Sequence, residues 1–101
     1  MGIPSETFEV RLTKAAEKDL EELRPWQDRV VDELLELEED PHKGHPLTGT
    51  LKGVHSLQFS LPGGAYRAAY LILETERICL IFIMGPHEGF YKRAERRARA
   101  L

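Results

Sequence analysis

Between Val54 and Leu73 the chain reads VHSLQFSLPGGAYRAAYLIL, two strand-like runs around Pro62-Gly63-Gly64. In the first run Leu57, Phe59 and Leu61 alternate with Ser56, Gln58 and Ser60. That period of two belongs to a strand with one wet face, here expected over Val54–Leu61, and the proline–glycine turn predicts a hairpin. The returning strand is expected over Ala65–Leu73. Centring the turn on Pro62-Gly63 sets Arg67 opposite Gln58, whereas the alternative register puts Arg67 on the apolar face with Phe59. A one-residue slip turns every side chain to the other face, so polarity selects the first register.

A third strand follows a short turn near Thr75-Glu76. Ile78 to Met84 is apolar at every position, which predicts a central strand buried on both faces. Centring that turn on Thr75-Glu76 places Arg67 opposite Met84. Upstream, Phe8, Val10 and Leu12 alternate over Thr7–Leu12 as a half-buried strand. Thr13 is placed to cap a helix running to about Leu23, with Glu17 and Asp19 near its positive end and Ala16, Leu20 and Leu23 inward. Pro25 suits the first turn of a second helix. Trp26, Val30, Leu34 and Leu37, widened by Val31 and Leu35, form its apolar stripe, and Asp40-Pro41 ends it. His42–Gly53 reads as a polar loop, and a short arginine-rich helix is expected from about Glu88 to Ala100. The expected order is βααβββα, an α+β fold with one antiparallel-rich sheet on the two N-terminal helices, in a single domain of residues 1–101.

Composition narrows the function classes. No apolar run approaches the roughly 20 residues of a membrane span, and the N-terminus carries no secretory pattern. Cys79, the single cysteine, fits a reducing compartment and sits in an apolar run as a buried thiol, so a cytoplasmic protein is expected. The cysteine and four histidines show no metal-ligand spacing, so neither metal nor cofactor is expected. The net charge of −3 is unevenly spread: residues 1–41 carry five basic and thirteen acidic side chains, and residues 42–101 carry nine basic and four acidic ones. A polyanion is repelled by the first part and attracted by the second.

The hairpin registers gather the chemistry. They bring Gly85-Pro86-His87 beside Arg67 and predict a polar patch of Ser56, Gln58, Arg67, His87 and Tyr91. An arginine fork matches a phosphate, a histidine exchanges protons near neutral pH, and a tyrosine stacks or donates a proton. RNA supplies its own nucleophile, the 2′-hydroxyl. Cleavage then needs a base, a cation for the phosphorane charge and an acid for the leaving 5′-oxygen. Each residue also has a plainer reading. Arg67 can be a salt-bridge partner, His87 a turn residue, Tyr91 a rim aromatic, and the basic helix a solvated end.

Three words, PLTGTLKG, GGAYRAAY and GPHEGFYKRA, in this order and spacing, resemble the RelE/ParE toxin superfamily of type II toxin–antitoxin modules. The βααβββα order is similar too, so the resemblance spans nearly the whole chain. It implies the RelE-like fold and a metal-independent endoribonuclease that cuts mRNA on the ribosome and inhibits translation. It also implies inhibition by a cognate antitoxin whose disordered segment folds on binding. By resemblance, Arg67 stabilises the phosphate transition state, His87 takes a catalytic place after the last strand, and Tyr91 stacks or transfers a proton. His45 is a further candidate base, which leaves the general base open between His87 and His45. Lys52 is implied as a phosphate contact. Gln58, Lys92, Arg93, Arg96 and Arg97 complete the expected RNA-binding set. The chain departs from the best-known ribonuclease branch by holding Ser56 and Gln58 where that branch has two lysines, and by its pI of about 5.8. Two rival functions follow from the same fold. One is a ParE-like toxin that inhibits gyrase without cutting RNA, and the other is a degenerate module that only binds protein.

Overall fold

The structure, a computed structural model, describes residues 7–101. Five strands form one sheet in the order β1-β5-β4-β3-β2. These are β1 (Glu9–Leu12), β2 (His45–Pro46), β3 (Val54–Leu61), β4 (Gly64–Leu73) and β5 (Ile78–Pro86). Helices α1 (Lys14–Glu21) and α2 (Gln27–Leu35) join β1 to the rest, and α3 (Phe90–Ala98) follows β5. No helix among the described residues is long and apolar enough to cross a membrane. The β3 strand spans the expected residues, β4 begins one residue before the expected Ala65, and β5 begins at the expected Ile78 and runs on to Pro86. The two-residue β2 is an addition inside the expected loop, and β1 pairs with β5 in parallel.

Local chemistry explains the helices. Thr13 caps α1 by accepting a hydrogen bond from the Ala16 N–H at 3.1 Å, and Glu17 lies in the first turn. Pro25 falls outside the helix it was expected to begin, because Trp26 is the N-cap of α2. The stripe on α2 is also narrower than its sequence: Val30, Leu34 and Leu37 are buried, while Trp26 and Leu35 are 37% and 42% exposed. Residues one apart on a helix lie about 100° around its axis, so Leu35 cannot share the face of Leu34. The α-helix ends at Leu35 and a 3-10 turn, Glu36–Glu38, carries Leu37 into the core.

The sheet has a core on each face. Leu57, Phe59, Ala68, Tyr70, Cys79, Ile81 and Met84 pack with Val30, Leu34 and Leu37. Val54, Ala69, Phe82 and Ile83 pack with Leu51, Phe90 and Ala94 on the other side. Burial raises the Cys79 thiol to about 11, so it is an inert core group.

The β3–β4 register is the one polarity selects, with Gln58 opposite Arg67. The β4–β5 register is not uniform. Tyr70 pairs with Ile81 but Ala69 pairs with Ile83, so Phe82 is a bulge residue. The extra residue corrects the expected partner of Arg67 from Met84 to Gly85. It also reverses the alternation, sending Ile81 and Met84 to one face and Phe82 and Ile83 to the other.

Beyond Ile81, β1 no longer covers β5, and side chains close the exposed edge. The Asp19 carboxylate accepts from the Met84 N–H at 3.0 Å, and Arg97 donates to the Phe82 carbonyl at 2.9 Å. Asp19 and Arg97 also pair with each other at 3.0 Å. Arg93 donates to the Pro86 and Glu88 carbonyls, both at 2.8 Å, and so holds the segment that enters α3. Unpaired edge groups invite another strand, and these contacts remove several of them.

At the opposite edge Tyr70 straps the loop carrying β2. Its hydroxyl donates to the Pro41 carbonyl at 2.7 Å and accepts from the Gly44 N–H at 3.0 Å. A Cβ on Gly44 would lie 2.7 Å from the Ser56 carbonyl oxygen, so the close approach requires glycine. Tyr70→Phe leaves the buried Gly44 N–H without its acceptor. The expected cost is about 1–3 kcal/mol, measured as a lower urea midpoint.

His55 stacks against Tyr70 with ring centroids 5.6 Å apart and meets His42 at 5.7 Å. Burial, and secondarily His42, lowers its pKa below the ordinary 6.5. The unfolded chain therefore binds the proton more readily. The stability from neutral His55 is full above about 6.5 and is lost as pH falls through the folded value. Urea midpoints at pH 7.5 and 5.5 should drop more for the wild type than for His55→Phe.

Candidate functional site

Side chains directly opposite one another in neighbouring strands share a sheet face. On the face that carries α3, one row reads Gln58, Arg67, Gly85 across β3, β4 and β5. The adjacent row reads His45, Ser56, Ala69, Ile83 across β2 to β5. The β2–β3 and β3–β4 registers thus bring His45, Gln58 and Arg67 onto one surface.

Arg67 is the centre of this surface. It is half-buried, and its Nε is buried without a hydrogen-bond partner among the described residues. No carboxylate among the described residues pairs with it, so the salt-bridge reading finds no support. Its guanidinium lies over the Tyr91 ring, 5.4 Å from the centroid. Tyr91 is 42% exposed and meets the buried Phe90 edge-on at 5.7 Å. The α3 helix therefore uses Phe90 as its anchor and presents Tyr91 beside the arginine.

The remaining expected residues differ in exposure and engagement. Gln58 and His45 are exposed on the same face. His87 is exposed at the end of β5, its backbone N–H bound to the Ala65 carbonyl at 3.0 Å and its carbonyl accepting from the Phe90 N–H. Its main chain is thus a turn element two residues along β4 from Arg67, and its imidazole is available to solvent. Lys52, Lys92 and Arg96 are exposed. Arg93 and Arg97 are the revision: both guanidinium groups are engaged by the chain itself, at the β5 edge. Ser56 is revised as well, since it is fully buried and its hydroxyl has no partner among the described residues. It is a filler beneath the surface rather than a part of it.

A cleft of about 320 Å³ adjoins Tyr91, lined by Pro46, Leu47, Thr48, Leu51, Tyr91 and Glu95. Glu95 accepts a hydrogen bond from the Thr50 hydroxyl, which ties α3 to the 3-10 turn Gly49–Leu51. Sequence reasoning passed over Glu95, Leu47 and Leu51. The available signal was helical spacing, because residues four apart, such as Tyr91 and Glu95, are neighbours on a helix face. Among the described residues no group of His, Cys, Asp or Glu side chains could hold a metal ion. On this face the arginine is the group placed to meet negative charge.

Residues 9–95 match a family model described as the ParE-like toxin of type II bacterial toxin–antitoxin systems. The toxin–antitoxin complex RelBE2 from Mycobacterium tuberculosis contains a chain of similar structure, with a TM-score of 0.71 and 28% sequence identity over 80% of this chain and 92% of that one. An Escherichia coli RelE mutant in the free state has the same fold, with a TM-score of 0.72 at 18% identity over 94% and 99% of the two chains. So has a chain of the archaeal RelE–RelB complex from Pyrococcus horikoshii OT3, with a TM-score of 0.57 at 22% identity over 79% and 94%. No curated protein matches the sequence.

Proposed function

The chain belongs to the ParE-like toxins of type II bacterial toxin–antitoxin systems, and from that premise we propose that it is an endoribonuclease that cuts mRNA on the ribosome. The observation carrying this reading is Arg67. A half-buried guanidinium with no carboxylate partner among the described residues, lying over an exposed tyrosine, offers a fork of donors and a flat ring together. A phosphate and its neighbouring base need that pair.

In the proposed reaction the RNA 2′-hydroxyl attacks the adjacent phosphate and forms the P–O bond of a cyclic 2′,3′-phosphate. The P–O bond to the 5′-oxygen breaks. Arg67 stabilises the charge on the phosphorane. His87 or His45 accepts the 2′-hydroxyl proton, and Tyr91 or the other imidazole gives one to the 5′-oxygen. Lys52, Lys92 and Arg96 hold flanking phosphates, offsetting the acidic α1 and α2. The protein acts in the cytoplasm, and a cognate antitoxin inhibits it, in keeping with the complexes in which similar chains are found.

The ParE-like description of the family favours a second reading, gyrase inhibition without RNA cleavage. Expression in a bacterial host separates the two. Growth should stop, new mRNA 5′ ends should appear near codon boundaries, and the antitoxin encoded alongside should restore growth. Arrest with intact mRNA and inhibited supercoiling would replace the first reading by the second.

A further inference from the structure

We propose that the cleft between Pro46–Leu51 and α3 is a nucleobase subsite, and that Glu95 makes it prefer guanine. The proposal rests on the ribonuclease reading for its substrate and goes beyond it in naming the base and the residue that selects it. Tyr91 joins the two sites, since its ring lies under the Arg67 guanidinium and also lines the cleft. A phosphate held by Arg67 would therefore carry its base toward this cleft. The lining suits a flat heterocycle: Pro46, Leu47 and Leu51 are apolar, and Tyr91 offers a ring face.

The polar group in the lining decides which base. Glu95 brings a carboxylate, which accepts hydrogen bonds only. Thr50 occupies one lone pair on Oε2, and Oε1 carries no protein hydrogen bond among the described residues. Guanine alone presents two adjacent donors, N1–H and the N2 amino group, to such a fork. Adenine and cytosine each place a ring-nitrogen acceptor beside their amino group, and that lone pair repels a carboxylate. Uracil offers N3–H between two carbonyl oxygens. An acidic side chain is costly beside an RNA backbone, and a base-edge contact is the arrangement in which its charge attracts rather than repels.

The test uses the full-length protein and four uncleavable 2′-O-methyl trinucleotides that differ only in the central base, with dissociation constants from calorimetry. The guanine oligomer should bind about tenfold more tightly than the other three, and Glu95→Gln should abolish that preference. Gln keeps an oxygen for the Thr50 hydroxyl, so the tie between α3 and the 3-10 turn survives. It replaces one acceptor by a donor, which should move the preference toward adenine and cytosine. Equal binding of the four, no binding at all, or a guanine preference that survives Glu95→Gln overturns the proposal. Guanine-selective binding by a protein that leaves mRNA uncut retains the subsite and removes the ribonuclease reading. Cleavage without guanine bias does the reverse.

Discussion

Arg67→Ala should slow mRNA cleavage by about 10²- to 10³-fold, the usual effect of removing one preorganised group from a developing oxyanion. The expectation follows from what Arg67 does not do. Among the described residues no carboxylate pairs with it and its Nε has no hydrogen-bond partner, so these residues give it no structural task as an ion. Its contact with the Tyr91 ring is worth about 0.5–1 kcal/mol at a partly exposed site. The urea midpoint should therefore change little while the single-turnover rate collapses. Arg67→Lys sharpens the test. Lysine keeps the charge and loses the planar fork, so the rate should fall between wild type and alanine. If Arg67→Ala cuts mRNA at the wild-type rate, the phosphate is held elsewhere. If cells expressing it still arrest, the toxin acts by another route, and the ParE-like reading gains.

The face that carries this site was legible because its signals are local. Alternation of Leu57, Phe59 and Leu61 with polar residues sets the β3–β4 register, and the register alone puts Gln58 beside Arg67. The next pairing was not legible to the residue. Ile78 to Met84 is apolar throughout, so no polar position marks where Phe82 bulges and shifts Gly85 opposite Arg67. β2 was missed for the opposite reason: His45-Pro46 is too short to show a period. The roles of Arg93 and Arg97 were hidden more deeply. A basic helix looks alike in sequence whether its guanidinium groups meet RNA or the chain's own carbonyls. Only the incomplete cover of β5 by β1 explains why two of them turn inward.

Asp19→Ala should lower stability by about 2–3 kcal/mol, read as a reduced urea midpoint. Removing one partner of a buried ion pair costs about 3–5 kcal/mol because the other charge is left unpaired. Here the side chains of Arg97 and Asp19 are 29% and 17% exposed, so water recovers part of that. The same carboxylate also takes the Met84 N–H, which would lose its acceptor at the edge of β5. Asp19→Asn separates the two contributions. An amide oxygen can still accept from Met84 but no longer balances the guanidinium, so its loss should be smaller. The substitution should reach the site as well, since Asp19 joins α1 to β5 and α3, and α3 carries Tyr91. An Asp19→Ala protein should therefore bind RNA more weakly even under conditions where it remains folded. An unchanged midpoint would mean that Phe90 and Ala94, buried against Phe82 and Ile83, seat α3 by packing alone. In that case the charged closure of the β5 edge serves only to keep other strands away.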